Sequence, residues 1–151
     1  MQLILWRHAQ AEDGKSDLER ELTAKGRKQA AKVAAWLRKR LPAKCRVLAS
    51  PAVRARHTAA ALGMEVSVVE RLAPGASVDD VLEAAGWPDG TDAATIVVGH
   101  QPTLGRVAAQ LVSGSTADWS VRKGGLWWLE HRRRSGGNEV VVRAVLSPDL
   151  I

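Results

Sequence analysis

The first apolar run, Leu3-Ile-Leu-Trp6, is short and continuous, and Arg7 and His8 follow it at once. A run of that length predicts a strand buried on both faces. Residues 9–21 are polar and charged, and read as a loop. The period then changes. Thr23 is an N-cap candidate, and Ala30, Val33, Ala34, Leu37 and Leu41 fall on one helical face. Lys25, Arg27, Lys28, Lys32, Arg38, Lys39 and Arg40 occupy the others, as a solvated face. This predicts a helix running to Leu41 and ended by Pro42.

The same reading continues down the chain. Arg46 to Ala49 predicts a second strand, Pro51 to Leu62 a second helix and Val66 to Val69 a third strand. Residues 70–76 read as a loop. Ser77 caps a short helix through Glu83, with Asp79 and Asp80 favourable in its first turn. Gly86-Trp-Pro-Asp-Gly90 is turn chemistry. Thr95 to Gly99 is the most strand-like run, and a helix from Thr103 to Val112 stops before Ser113-Gly-Ser115. Gly125 to His131 and Glu139 to Leu146 predict a hairpin, joined by the basic loop Arg132-Arg-Arg-Ser-Gly-Gly-Asn138. Strands alternating with helices imply an α/β fold with a mainly parallel sheet covered on both faces.

Bulk properties add limits. At 151 residues the chain predicts one domain spanning 1–151. Its 46% hydrophobic and 25% charged residues are those of an ordinary globular protein. Its start has no basic leader, and no apolar stretch approaches a membrane span, so no membrane association is expected. The single cysteine, Cys45, rules out an intrachain disulfide and makes a cytoplasmic location the default. The net charge of +6 favours anionic partners. The basic residues are scattered and no RNA-binding aromatic motif accompanies them, so no nucleic acid is expected.

The chemistry gathers at strand ends. In open α/β sheets, ligands sit outside the carboxyl ends of the strands. There the first strand delivers Arg7 and His8. The second delivers Ser50-Pro51, with Arg54 one turn inside the next helix, and the fourth delivers Gly99-His100. A guanidinium offers a planar fork of donors to phosphate oxygens, and a neutral imidazole can attack phosphorus. Other chemistries fit poorly. Four scattered histidines and one cysteine show no metal-ligand spacing. A Cys-x5-Arg phosphatase loop starting at Cys45 would need Arg where Pro51 stands. Neither a phosphate-binding P-loop nor a dinucleotide glycine fingerprint is present.

Arg7-His8-Ala9, Ser50-Pro51-x-x-Arg54-Ala55 and Val98-Gly99-His100 together resemble the histidine phosphatase superfamily, with its phosphoglycerate mutase-like fold. Asp17-x-x-Arg20-x-Leu22-Thr23-x-x-Gly26-x-x-Gln29-Ala30 matches a further family segment. Ala9 stands where the family carries Gly. The small size, Ala9 and the Leu72-Ala-Pro-Gly-Ala76 segment are similar to the SixA branch, the phosphohistidine phosphatases. The resemblance implies a three-layer α/β/α sandwich with antiparallel edge strands. It implies His8 as nucleophile through a phosphohistidine intermediate, Arg7 and Arg54 as phosphate clamps, and His100 as a fourth pocket residue. Gln10, Ser16 and Arg20 are candidate ligand contacts in the loop. No cofactor or metal is implied, and the expected partner is a phosphoprotein carrying phosphohistidine or a small phosphorylated substrate.

Larger relatives carry an acidic proton donor in an insertion that is short here. Glu70 and Glu83 are the nearest carboxylates in sequence, and neither sits in a donor motif. His57 and His131 are not expected to be catalytic. Two other functions remain open at this point: a small-molecule phosphomonoesterase using the same histidine, and a phosphate- or phosphoprotein-binding module without turnover.

Overall fold

The computed structural model describes residues 1–151. Four strands run parallel: β1 (Gln2–Arg7), β2 (Cys45–Ala49), β3 (Val66–Val68) and β4 (Ala94–Gly99). An antiparallel hairpin of β5 (Leu126–Arg134) and β6 (Gly137–Leu146) extends the sheet beyond β1. The order is β3-β2-β4-β1-β5-β6, so β1 and β4 lie side by side in the middle.

The unbroken apolar runs are explained by burial on both faces. Ile4, Trp6, Val47, Ala49, Ile96 and Val98 point to one side, where they meet α1 (Ala24–Arg38) and α2 (Val53–Ala60) through Val33, Leu37, Ala55 and Ala59. Leu3, Leu5, Leu48 and Val97 point to the other, where they meet α3 (Val78–Ala85) and α4 (Thr103–Ser113) through Val81, Leu104 and Val107. The result is the expected three-layer sandwich. No helix is long and apolar enough to cross a membrane.

The element ends differ in instructive ways. α1 stops at Arg38, because Arg40 and Leu41 both turn back to donate to the Leu37 carbonyl before Pro42 is reached. Thr23 caps it as expected, accepting from Gly26 N at 2.9 Å. α2 begins at Val53, not Pro51, since the Ser50 side chain accepts from Ala52 N at 3.2 Å and holds the lead-in. α3 runs past Glu83 to Ala85 and ends at Gly86, whose φ of 69° suits only glycine well. Its start carries a full capping box between Ser77 and Asp80.

The hairpin corrects the sequence reading most. The basic segment 132–138 is mainly strand, and only Ser135 and Gly136 form the loop. Beyond Glu130 the hairpin has no partner in β1, so it overhangs the sheet and needs no apolar face. Cross-strand ion pairs, including Arg134–Glu139 at 3.0 Å, line it instead. Short 3-10 turns at Asp17–Glu19 and Glu70–Leu72 interrupt stretches read as loop.

Candidate active site

Strand register brings the separated motifs together. Arg7 pairs with Gly99 across β1 and β4, and Ala49 pairs with Val98 across β2 and β4. The next residues along each strand therefore share one sheet edge. His8 N donates to Gly99 O at 3.1 Å, and Ser50 N donates to Val98 O at 3.0 Å. The His8 and His100 rings lie 5.1 Å apart between centroids. Both histidines, Ser50 and Arg54 are buried, and Arg7 is half-buried.

His8 is held on three sides. Besides the bond from its N–H, its carbonyl accepts from Gly124 N at 3.0 Å. Its ring Nδ1 lies 2.8 Å from the carbonyl of Ala9. A carbonyl only accepts, so Nδ1 carries the proton and Nε2 keeps a free lone pair. Burial first, then the charges of Arg54, Arg7 and Arg20, push the His8 pKa down to about 4, against the opposing bond to Ala9. The ring is therefore neutral at neutral pH, and an Nε2 with a free lone pair can act as a nucleophile.

His100 is held from behind. Its Nε2 lies 2.7 Å from Ser50 Oγ, and its Nδ1 lies 3.5 Å from Arg54 Nη2. A guanidinium only donates, so Nδ1 is the acceptor and Nε2–H donates to Ser50. Burial, His8 and Arg54 push its pKa down to about 3. Both ring nitrogens are thus engaged. The expected donation from His100 to a phosphate oxygen needs a protonated or turned ring. An anion in the pocket favours the protonated one.

The arginines are oriented by backbone. Arg54 Nη1 donates to Asp17 O at 2.6 Å, and Nη2 approaches the Asp17 carboxylate at 3.2 Å. Arg7 Nη1 donates to Val121 O at 2.8 Å. The Nε atoms of both arginines are buried and find no partner in the protein. Unpaired buried donors are costly. Two guanidinium groups with unused N–H at one sheet edge, beside two neutral imidazoles, suit a multiply charged oxyanion.

The remaining sequence candidates divide. Gln10 is placed beside the site, but its side chain accepts from Thr23 Oγ1 at 2.9 Å and belongs to the α1 cap. Arg20 is turned into its own loop, to Glu12 O at 2.7 Å and Asp17 at 3.0 Å. Ser16 is exposed and precedes the 3-10 turn without capping it. Glu70 is exposed, and Glu83 is paired with Arg71 at 2.7 Å. Arg46 of β2 binds the carbonyls of Ala84 and Ala85, so Glu83 lies toward the opposite end of the sheet. His57 has a buried Nδ1 without a partner, and His131 packs edge-on against Trp87 near the overhanging hairpin. No three or more His, Cys, Asp or Glu side chains gather where they could hold a metal ion.

Several supporting residues were not singled out from sequence. Asp17 and Ser50 stood in the quoted motifs without a role. Asp17 is the carboxylate at the site, held below the usual carboxylate range by Arg20 and Arg54, and so ionised at neutral pH. Thr58 accepts from Ala9 N at 3.0 Å and donates to Arg54 O at 2.7 Å, tying the β1 turn to α2. Thr23, Gly26 and Gln29 all serve Gln10. Thr23 N donates to its carbonyl, Gln29 accepts from its N–H, and a Cβ on Gly26 would stand 1.9 Å from its oxygen.

The geometry has a counterpart in known proteins. Residues 3–74 match the model of the histidine phosphatase superfamily, branch 1. An uncharacterized protein of Mycobacterium tuberculosis is 38% identical over 119 residues, 76% of this chain and 75% of that one. The chain belongs to the histidine phosphatase superfamily.

Two solved superfamily structures are similar over nearly their full length. A structure assigned as the phosphohistidine phosphatase SixA from Nakamurella multipartitia is 28% identical, with 97% of this chain and 95% of that one covered and a TM-score of 0.81. The protein histidine phosphatase SixA in complex with tungstate is 26% identical, with 99% of each chain covered and a TM-score of 0.83. This superfamily member is thus a phosphatase of the SixA type. The Arg7-His8 pair and His100 stand at adjacent strand ends because β1 and β4 are neighbours in its sheet.

Proposed function

We propose that this phosphatase removes the phosphoryl group from a phosphohistidine carried by a protein, with His8 as nucleophile. The observation that carries the reading is the 2.8 Å bond between His8 Nδ1 and Ala9 O, which leaves Nε2 unprotonated at the edge where Arg7, Arg54 and His100 converge. Nε2 attacks phosphorus in line with the departing ring nitrogen. The substrate P–N bond breaks, its electron pair goes to the imidazole, and that nitrogen takes a proton from solvent. Water then attacks phospho-His8, the new P–N bond breaks back to Nε2, and inorganic phosphate leaves. Arg7 and Arg54 stabilise the equatorial oxygens throughout.

The leaving group favours phosphohistidine. A serine or sugar alkoxide needs a proton donor to leave, whereas the conjugate acid of imidazole has a pKa of about 6.5. The carboxylate at the site, Asp17, is held ionised and is a poor donor. The tungstate-bound SixA relative, described as a protein histidine phosphatase, supports the same reading. We place this activity in one domain spanning 1–151 of a cytoplasmic protein. Gln10, Ser16 and Arg20 act in it as loop supports more than as ligand contacts. A pure binding module would need the two arginines but not a free Nε2.

The test compares phosphohistidine with phosphoserine and a sugar phosphate on one preparation at neutral pH. The expected kcat/KM preference for phosphohistidine is at least about tenfold, ~1.4 kcal/mol in the transition state. Equal or better hydrolysis of the sugar phosphate rejects the reading in favour of a metabolite phosphomonoesterase. No turnover on any of them leaves the binding module.

A further inference from the structure

A groove opens beside the site. It holds about 200 Å³ and is lined by Val121, Arg122, Leu126, Trp127, Val145 and Leu150, among others. Its place is fixed by topology. β5 begins, and β6 ends, at the same edge of the sheet where β1 delivers His8. The segment between groove and nucleophile is short. Val121 O holds Arg7, and Gly124 N holds the His8 carbonyl.

The groove is apolar inside and basic at the rim. Val145 is 52% exposed and Leu150 70%, among the most exposed large apolar side chains of the molecule. Scattered exposed apolar residues are ordinary, but a pair flanking a concavity at the mouth of a site is a recognition feature. Arg122 lines the groove, and both it and Lys123, the residue before Gly124, are exposed. Arg122 reaches Asp149 at 3.7 Å, with both side chains mostly in water, a pairing that contributes little and yields easily to a better carboxylate.

Resting on the proposed phosphohistidine activity, we propose that this groove is the docking surface for the protein substrate. It takes an apolar side chain one helical turn from the phosphohistidine, with acidic residues around it meeting Arg122 and Lys123. Residues one turn apart on a helix are about 5–6 Å from each other, so one short helical segment can present both groups at once. Arg122, in the groove, adjoins the residue whose carbonyl holds Arg7. The net charge of +6 steers an acidic partner toward the same edge.

The experiment uses an acidic helical peptide with one phosphohistidine and a leucine four residues away. The same peptide with that leucine replaced by serine, and free phosphohistidine, are the comparisons. Wild type should prefer the leucine peptide over the serine peptide by about tenfold in kcat/KM, mainly through KM. Leu150→Asp should erase that preference and leave free phosphohistidine unchanged. Arg122→Glu should weaken both peptides and spare free phosphohistidine. An unaltered peptide preference in Leu150→Asp overturns the docking surface alone. An equal loss on all three substrates marks a folding defect; Leu150→Ala then takes its place, and an unaltered peptide preference in that variant overturns the docking surface. A wild-type dimer that Leu150→Asp turns into a monomer, with peptide rates unchanged, assigns the groove to self-association and overturns it too. No hydrolysis by wild type of either phosphohistidine peptide or of free phosphohistidine overturns the proposed function itself.

Discussion

Asp17 accepts from Arg54 twice, through its carbonyl from Nη1 at 2.6 Å and through its carboxylate from Nη2 at 3.2 Å. The two contacts differ in weight. The carbonyl bond is made by backbone and survives any side-chain change. The carboxylate side chain is 55% exposed, and such pairs contribute about 0–1 kcal/mol. Asp17→Ala should therefore lower kcat by less than about tenfold. Arg54→Ala removes a buried charge from the proposed phosphoryl site and should cost about 10²–10³ in kcat. Arg54→Lys should not restore the rate, because an ammonium lacks the fork. Steady-state kinetics on the three variants check the order, and a loss in Asp17→Ala equal to that in Arg54→Ala contradicts it.

His8→Ala should abolish turnover while inorganic phosphate still binds, since both guanidinium groups keep their own anchors at Asp17 and Val121. Rapid quenching of wild type should trap phosphate on His8, stable in base and labile in acid. Label on a serine or an aspartate sinks the assignment. EDTA should leave the rate unchanged, because the positive charge at the site comes from arginine side chains. A rate lost in EDTA and restored by a divalent ion contradicts that source of charge.

The pH dependence is set by the two buried rings. An unfolded histidine takes up a proton near pH 6.5. In the folded protein His8 does so only at about 4 and His100 at about 3. Between these values the unfolded chain binds more protons, so stability rises with pH through that window and is level above it. Urea unfolding at pH 5 should give a stability lower than at pH 7.5 by on the order of 2–4 kcal/mol from the pair. His100→Asn should flatten the slope. A wild-type stability that is level from pH 7.5 to 5 shows the rings to be accessible to protons.

Much of this arrangement was readable from residue order, for identifiable reasons. Leu3 to Trp6 and Thr95 to Gly99 are apolar without interruption because both faces are covered, and the residues next after each strand must stand at the sheet edge. The supports were harder to read. Ser50 and Asp17 act through one or two long-range bonds to His100 and Arg54, which leave no periodic trace. The segment from Val121 to Gly125 carries neither apolar pattern nor motif, yet it bonds to both Arg7 and His8. The basic run Arg132–Arg134 read as a loop because charge usually marks loops; here it lies on an overhanging hairpin whose charges pair across strands.

Gly26 tests how far the turn after His8 depends on α1. It is buried in the first turn of that helix, and a Cβ there would stand 1.9 Å from Gln10 O. The obstacle is backbone, not the tip of a flexible side chain. Gly26→Ala must push the helix from the turn that positions Ala9, and with it the carbonyl that orients His8. Expected are a loss of about 1–3 kcal/mol in stability, as for other overpacked sites, and a fall in kcat larger than that in KM. Calorimetry and kinetics measure the two. A Gly26→Ala variant with wild-type kcat means that the turn holds its shape without α1.

Ser50 offers the sharpest test of the His100 assignment, because its hydroxyl fixes which ring nitrogen holds the proton. Its Oγ accepts from His100 Nε2 at 2.7 Å and from Ala52 N at 3.2 Å. Ser50→Ala leaves two buried donors without that acceptor, at a cost of about 1–3 kcal/mol each. His100 then has reason to turn or to move its proton to Nδ1. A proton on Nδ1 faces the guanidinium of Arg54, a turned ring withdraws Nδ1 from it, and either change disturbs the group proposed to meet the phosphoryl oxygens. The expected result is a kcat lowered by about tenfold or more, with KM changed less. Nitrogen chemical shifts of the His100 ring separate this from a general loosening of the fold. Wild type should show the proton on Nε2, and Ser50→Ala should shift the tautomer toward Nδ1 or average the two. A wild-type ring protonated on Nδ1 overturns the assignment, since Arg54 Nη2 would then face a donor. Wild-type kinetics in Ser50→Ala would show that His100 is held in place by packing alone.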